Sequence, residues 1–483
     1  MQSRRDQVQA HLFVMSRLSA GLLRAEPDAP DIPTARTTRG VRTGLVIGLL
    51  IALIMAVYGL ISPGGTTGWQ KPGTLIVVKD TGARFLYLGG ELRPVLNQTS
   101  AKLLLGEKMT VTQVSGTSLA GVPRGGPVGL LGAPDALPAA KAMTDDAWLA
   151  CAVREPAATG DDVVGLRLAI GTGQGGRTLA AGQAVLISTP DRTPYLLWGG
   201  RRMRLDAANG AVGALGYAGA TPVSVPASFL NTLPAGPDLA PPDILRRGAP
   251  GPALAGLPTR IGQLFTGPAG ERYVLGQGGL ELIDTLRFDL LRGDPRTQRV
   301  AYGGAAVTAA PIGPADLTAH PGAARKDTGL PATPPALVTV PSVQGVCAGL
   351  RPGPDGPLTT ISLVDREQLA GRAPTVEPGI RQSCAEADRI AVLPGGGALV
   401  RALSGGGNGT TAYLVADNGV KYPLATEDVA QKLGYGTVPP VGVPGVLLTL
   451  LPTGPSLDPS VLEQGGVIDE TTPQVPCPKR TGS

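Results

Sequence analysis

Charge is scarce in this sequence: Asp, Glu, Lys and Arg make up 16% of its 483 residues, against about 25% in an ordinary domain. Coiled coils and long helical bundles need charged faces beside their apolar seams, so both are excluded. Aromatic residues are only 4% and the net charge is +5. With no basic patch, the stacking platforms and electrostatic footprint of a nucleic-acid binder are missing. Histidine is limited to His11 and His320, and the four cysteines contain no C-x-x-C pair, so no metal site is expected. Glycine and proline are abundant instead. Their 70 and 47 residues approach a quarter of the chain, beside 42% apolar residues. That composition fits many short strands joined by tight turns, in about two to four units.

One segment has the composition of a membrane span. Gly44 to Ile61 reads GLVIGLLIALIMAVYGLI without a charge, about 27 Å of helix and close to the hydrocarbon thickness. Arg36, Arg39 and Arg42 precede it and the uncharged SPGGTTG follows. The arginine flank is expected to stay cytoplasmic and everything after about residue 62 to lie outside. A cleaved signal peptide is the alternative, but the leader is too long and the apolar stretch too extended for one.

The leader has its own pattern. Val8, Leu12, Met15, Leu18 and Leu22 fall at helical spacing, with Arg4, Arg5, Arg17 and Arg24 free to face water or lipid phosphates. Pro27 and Pro30 are expected to end that helix and Pro33 to keep the connector extended. A cationic amphipathic helix ahead of a span either lies on headgroups or docks to a partner, and docking is favoured here. Arg4, Arg5, Val8, Leu12, Phe13, Met15 and Leu22 are the candidate contacts.

The run RRDQVQAHLF (Arg4 to Phe13), then Pro27-Asp28-Ala29-Pro30, then one span, resembles the start of the EccB subunit of actinobacterial type VII (ESX) secretion systems. The resemblance implies a single-pass structural subunit of the cell (inner) membrane. Its implied partners are other membrane subunits of that machine, including an FtsK/SpoIIIE-type motor ATPase, and the complex would export helical WXG100-type proteins. Self-association through the external domain is also expected.

Four external segments share one pattern: Phe85 to Gly106, Tyr195 to Gly216, Tyr273 to Gly293 and Tyr413 to Gly434. Each reads as an aromatic strand, a glycine turn, a second short strand and then a capping residue (Asn97, Asp206, Asp284 or Thr426). About two helical turns and a glycine stop complete the unit. The second and fourth copies align without a gap at a shift of 218, from Tyr195 and Tyr413 to Pro241 and Pro459. Before them, WLACAV and GLRLAI (Trp148 to Ile170) correspond to VQGVCAGL and TTISLV (Val343 to Val364).

The expected fold is therefore one N-terminal transmembrane helix and a large external α+β domain. Its central, mainly antiparallel β core has pseudo-two-fold symmetry and carries four strand-turn-strand-helix repeats. The plan along the chain is leader 1–42, span 43–61, first repeat 62–125, first core segment 126–190, second repeat 191–245, third repeat 246–315, second core segment 316–404, fourth repeat 405–462 and tail 463–483.

Catalytic signatures are missing. None of the nine lysines follows a glycine, so the phosphate-cradling P-loop is absent although proteins of the resembled family have been labelled ATPases. Gly171, Gly173 and Gly176 form G-x-G-x-x-G after a strand, with Asp191 downstream. The dinucleotide fingerprint also needs a following helix, and RTLAAGQAVLIS reads as strand. No G-x-S-x-G elbow occurs, and Asp145/Asp146 and Asp161/Asp162 read as solvated loop pairs. No catalytic residue and no cofactor are expected. The competing reading is a cell-wall binding module, in which exposed aromatics among Tyr195, Trp198, Tyr217, Tyr273 and Tyr413 would hold peptidoglycan.

Four cysteines allow three pairings. Cys151 and Cys347 occupy equivalent places in the two core segments, while Cys384 and Cys477 have no counterparts, so pairing like with like gives Cys151–Cys347 and Cys384–Cys477. Chain entropy gives roughly 5 kcal/mol for either crosslink and does not rank them. Location does, because the first pair lies in apolar strands. Replacing Cys151 and Cys347 by Ser is expected to lower the melting temperature more than replacing Cys384 and Cys477. Calorimetry of the two double variants tests the ranking, and peptide mapping that joins Cys151 to Cys384 or Cys477 refutes the pairing.

Overall fold

The computed structural model describes residues 4–24, 34–61, 67–155, 163–173, 176–323, 328–351, 357–404 and 407–469. These fall into two units, one of residues 1–71, 76–83 and 112–122, the other holding the remainder.

The first unit begins with two helices, Arg4–Arg24 and Thr34–Ile61. Pro27, Pro30 and Pro33 lie between them, outside the described residues. The second helix is longer than the apolar run because its first turns hold Thr and Arg rather than a breaker. Within it Thr37–Tyr58 is long and apolar enough to cross a membrane. Farther along, the Lys79 N–H donates to the Val114 carbonyl at 2.9 Å, joining 76–83 to 112–122.

The second unit is organised on a six-stranded sheet. Val163–Ile170, Trp148–Glu155, Gln344–Arg351 and Leu358–Asp365 lie side by side, each antiparallel to the next. Arg389–Val392 adds in parallel outside Val163–Ile170, and Arg177–Thr178 adds antiparallel outside Leu358–Asp365. Cys151 stands directly opposite Cys347 in the central pair. Strand side chains alternate between faces. One face sends Trp148, Ala150, Leu166, Leu168, Val346, Ala348, Ile361 and Leu363 into the main core. The opposite face carries Leu149, Cys151, Val153, Ala169, Cys347 and Val364.

Around this sheet stand four hairpin-and-helix units. Their hairpins pair Arg84–Leu88 with Glu91–Pro94, Pro194–Trp198 with Arg201–Arg204, Arg272–Gly276 with Gly279–Ile283, and Gly407–Val415 with Lys421–Pro423. The caps are less uniform than the sequence pattern. Asn97, Asp206 and Asp284 accept from Ser100, Asn209 and Arg287 backbone N–H groups, whereas the Thr426 side chain makes no capping bond. After Asp206 the expected two-turn helix is broken into a 3-10 turn, Ala207–Asn209, and one α turn, Ala211–Ala214. The cause is Gly210 at φ +79°, where a β-carbon would also stand 2.6 Å from the Gly293 carbonyl oxygen. Gly293 is itself the last residue of helix Thr285–Gly293 rather than a stop beyond it.

Segments ahead of the core strands dock crosswise. Residues preceding Gln344–Arg351 reach the second hairpin unit: Ala336–Leu337 pairs in parallel with Gln183–Ala184, and the Tyr217 hydroxyl donates to the Pro335 carbonyl at 2.8 Å. Residues preceding Trp148–Glu155 reach the fourth unit in the same way. Met143 bridges Gly397, and the Tyr435 hydroxyl donates to the Pro138 carbonyl, also at 2.8 Å. Both tyrosines are buried. Tyr217→Phe and Tyr435→Phe are each expected to cost about 1–2 kcal/mol, since a buried carbonyl is left without its donor. Urea titration checks this, and the double variant should lose the sum because the two bonds share no partner.

Candidate functional site

The leader residues all lie on the first helix. Arg4 and Arg5 open it, and Val8, Leu12, Phe13, Met15, Leu18 and Leu22 are more than half exposed, Leu22 at 85%. Arg17 stacks over the Phe13 ring at 5.9 Å. An apolar set this exposed in the free chain has the character of a contact surface. Arg36, Arg39 and Arg42 lie in the first turns of the second helix, before its uncharged stretch.

At the centre of the sheet Cys151 and Cys347 form a disulfide across 196 residues of chain, with Cα atoms 4.0 Å apart and neither side chain exposed. Cys384 is disulfide-bonded too, and Cys477 lies outside the described residues. Next to the disulfide, Arg167 binds Glu155 at 2.9 Å and donates to the Arg366 and Leu369 carbonyls. It thereby ties the segment after Leu358–Asp365 back onto the sheet.

The aromatic candidates do not form an exposed platform. Tyr195 and Tyr413 pack on the main core, Tyr273 on the core of the third unit, and Tyr217 is buried. Trp198 lies against the second unit's core and donates its indole N–H to the Ala181 carbonyl at 2.6 Å. Among the described residues no cluster of His, Cys, Asp and Glu has the form of a metal site. Gly171 and Gly173 lie in a loop and Gly176 leads directly into strand Arg177–Thr178, so the glycine motif opens no helix.

Two features escape the sequence pattern. Beside Leu149 and Ser362, on the disulfide face of the sheet, is a cleft of about 300 Å³. The other is Lys421, whose ammonium donates to the Leu448 and Leu451 carbonyls at 2.7 Å each, around the end of helix Gly445–Leu448. Burial, helped by the nearby Arg381 charge, lowers its pKa to about 8, against a smaller raising effect of Glu386. Lysine at the start of a three-residue strand gives no signal of this, because the carbonyls it meets lie 27 and 30 residues away.

Residues 1–464 match the family model described as the type VII secretion system ESX-1, transport TM domain B. The chain belongs to that family. It is 28% identical over 492 residues to the ESX-3 secretion system ATPase EccB3 of Mycobacterium tuberculosis (strain ATCC 25618 / H37Rv), covering 94% of this chain and 88% of the relative. A solved EccB3 dimer from an ESX-3 core complex matches with TM-score 0.63 and 26% identity, over 80% of this chain and 98% of that one. A chain of an intact ESX-5 inner membrane complex matches with TM-score 0.62 and 23% identity, over 100% and 99% of the two chains, a likeness of fold. The EccB protein is a membrane-anchored subunit of the type VII inner membrane complex, and its sequence family spans the leader, the apolar helix and the sheet-rich domain together.

The folded-state pKa of Lys421 lies below the ordinary value of 10.5. Its contribution to stability is therefore complete above that value and is lost as pH falls through about 8. The full swing is about 3 kcal/mol at 1.36 kcal/mol per unit. Stability of the chain is expected to rise from pH 8 to pH 10, and Lys421→Met is expected to flatten that rise. Guanidinium titrations across the range measure both slopes.

Proposed function

We propose that this chain is a structural subunit of an envelope secretion machine. Its leader docks in the cytoplasm, the helix Thr34–Ile61 anchors it, and the sheet-rich domain associates outside the membrane with sister copies and other subunits. The observation that carries this reading is the joining of an exposed amphipathic leader, one apolar helix and a disulfide-closed domain in one chain of the family. Arginines before the span favour a cytoplasmic N-terminus, and disulfides persist on the outer side. A dimer of a relative supports self-association.

Two halves related by a pseudo-two-fold operation account for the crosswise docking. In this reading Cys151 and Cys347 mark the axis, the Tyr217 and Tyr435 bonds are counterparts, and the four hairpin units are repeats. Cys384–Cys477 closes the tail onto the insertion of the second half. Energy for exporting WXG100-type proteins comes from the FtsK/SpoIIIE-type motor partner.

The relative's name includes ATPase, which favours a second reading as a nucleotide hydrolase. It stands against nine lysines that never follow glycine. Purified chain free of the motor is expected to turn over no ATP, and turnover that persists through gel filtration overturns the structural reading.

Replacing Leu12, Met15 and Leu22 with Asp is expected to abolish recovery of the other membrane subunits from mild detergent while the external domain keeps its melting temperature. Normal co-purification would remove the docking role. A reporter after Ser483 is expected to be active only outside the cytoplasm, and one before Met1 only inside.

A further inference from the structure

The four hairpin units have the same strand order: in each, the strand that follows the helix lies beside the strand that precedes the hairpin, at one edge of the sheet. These edge strands are Thr110–Val114, Val223–Ser224, Ala310–Pro311 and Val441–Pro444. An open edge is a template for another chain, and proteins blunt it by brevity, proline or charge. Three of the four are blunted in that way. Val223–Ser224 and Ala310–Pro311 have two residues each, and Val441–Pro444 ends in proline and follows Pro439 and Pro440. Thr110–Val114 has five residues, TVTQV, with no proline, glycine or charge.

The hydrogen bonds of this strand show which of its groups face outward. The Thr110 N–H donates to the Gly73 carbonyl, and the Val114 carbonyl accepts from the Lys79 N–H, both at 2.9 Å. These bonds set the strand parallel to Thr74–Val78. Alternate residues of a parallel strand bond to the same neighbour. Thr110, Thr112 and Val114 therefore bond toward Thr74–Val78, whereas Val111 and Gln113 direct their N–H and C=O groups away from it. Both of these residues are exposed, Val111 at 55%. Among the described residues no segment pairs with that outer side.

We infer that this edge pairs with the same edge of a second copy, antiparallel, about a two-fold axis at Thr112. The register follows from the outward groups. Val111 stands opposite the partner's Gln113, and Gln113 opposite the partner's Val111, and each pair exchanges two backbone hydrogen bonds. Thr112 meets its own counterpart as the closer pair between them, a favourable Thr–Thr contact. Any other register forms at most half of these bonds. No charge on the strand repels its copy, and an identical edge closes as an isologous pair. The inference rests on the self-association reading and names its surface. The anchor of that reading holds both copies in one membrane plane, which raises their effective concentration.

The test uses the full chain in mild detergent, with its mass followed by light scattering. Thr112→Cys is expected to give a disulfide-linked dimer under mild oxidation. Val111→Pro removes an outward N–H at an edge position where proline fits. It is expected to weaken dimerisation about tenfold with unchanged melting temperature. Val111→Lys, which places a charge on each copy of the short edge, is expected to do the same, and it serves where the proline variant fails to fold. A chain that stays monomeric at every concentration overturns self-association and this pairing with it. An oligomer that Thr112→Cys does not crosslink, or that Val111→Lys leaves intact, overturns the edge pairing alone.

Discussion

The pairing of Trp148–Glu155 with Gln344–Arg351 is the constraint on which the external domain depends. These strands are separated by nearly two hundred residues of chain, so their contact closes a very long loop and must be offset by burial and by the crosslink. Both contributions act at one place. Cys151 and Cys347 face each other in register, and the opposite face of the same strands supplies Trp148, Ala150, Ala152, Val346, Ala348 and Leu350 to the main core. Loop-closure entropy grows only logarithmically with length, which is why one disulfide can hold so distant a pair. The crosswise contacts, from Ala336–Leu337 to the two tyrosine hydroxyls, are made by the segments that lead into these two strands.

Much of that arrangement is legible in the amino-acid order because it rests on periodicity. Apolar runs around Cys151 and Cys347 mark buried strands, glycine-containing turns mark the hairpins, and Asn97 and Asp284 mark helix starts by side-chain chemistry that works over three residues. The helix after Asp206 departs from its pattern for a local reason: Gly210 imposes a left-handed turn that overrides the cap before it. Thr426 has the right residue type and lacks the bond. Lys421 and the sheet cleft are not legible at all. Both depend on groups brought together across long stretches of chain, and no spacing within a strand encodes which carbonyl or hydroxyl will arrive from elsewhere.

The leader and the external domain solve opposite problems of surface. In the leader, Leu12, Met15 and Leu22 are exposed among the described residues. An apolar stripe with arginines beside it is stable in water only when something larger covers it. The sheet-rich domain instead buries most of its large apolar side chains on short elements that could not fold singly. The second and fourth hairpin units share the main core with the sheet through Tyr195 and Tyr413, whereas the third has a core of its own. Scarce charge and abundant glycine are thus two sides of one design, in which short strands pack closely and few ionic faces are needed.

Where polar groups are buried in this domain, they almost always hold chain segments together. Arg247 is paired with Asp294 and donates to the Pro242 carbonyl, Arg167 holds residues 366–369, and Lys421 gathers two helix-end carbonyls. Each is a long side chain reaching backbone that the sheet ladders leave unpaired, and each fixes a connection that glycine and proline would otherwise leave loose. Lys421 does so against a desolvation penalty large enough to depress its pKa to about 8, so its bonds to the two carbonyls offset only part of what the ammonium loses on leaving water.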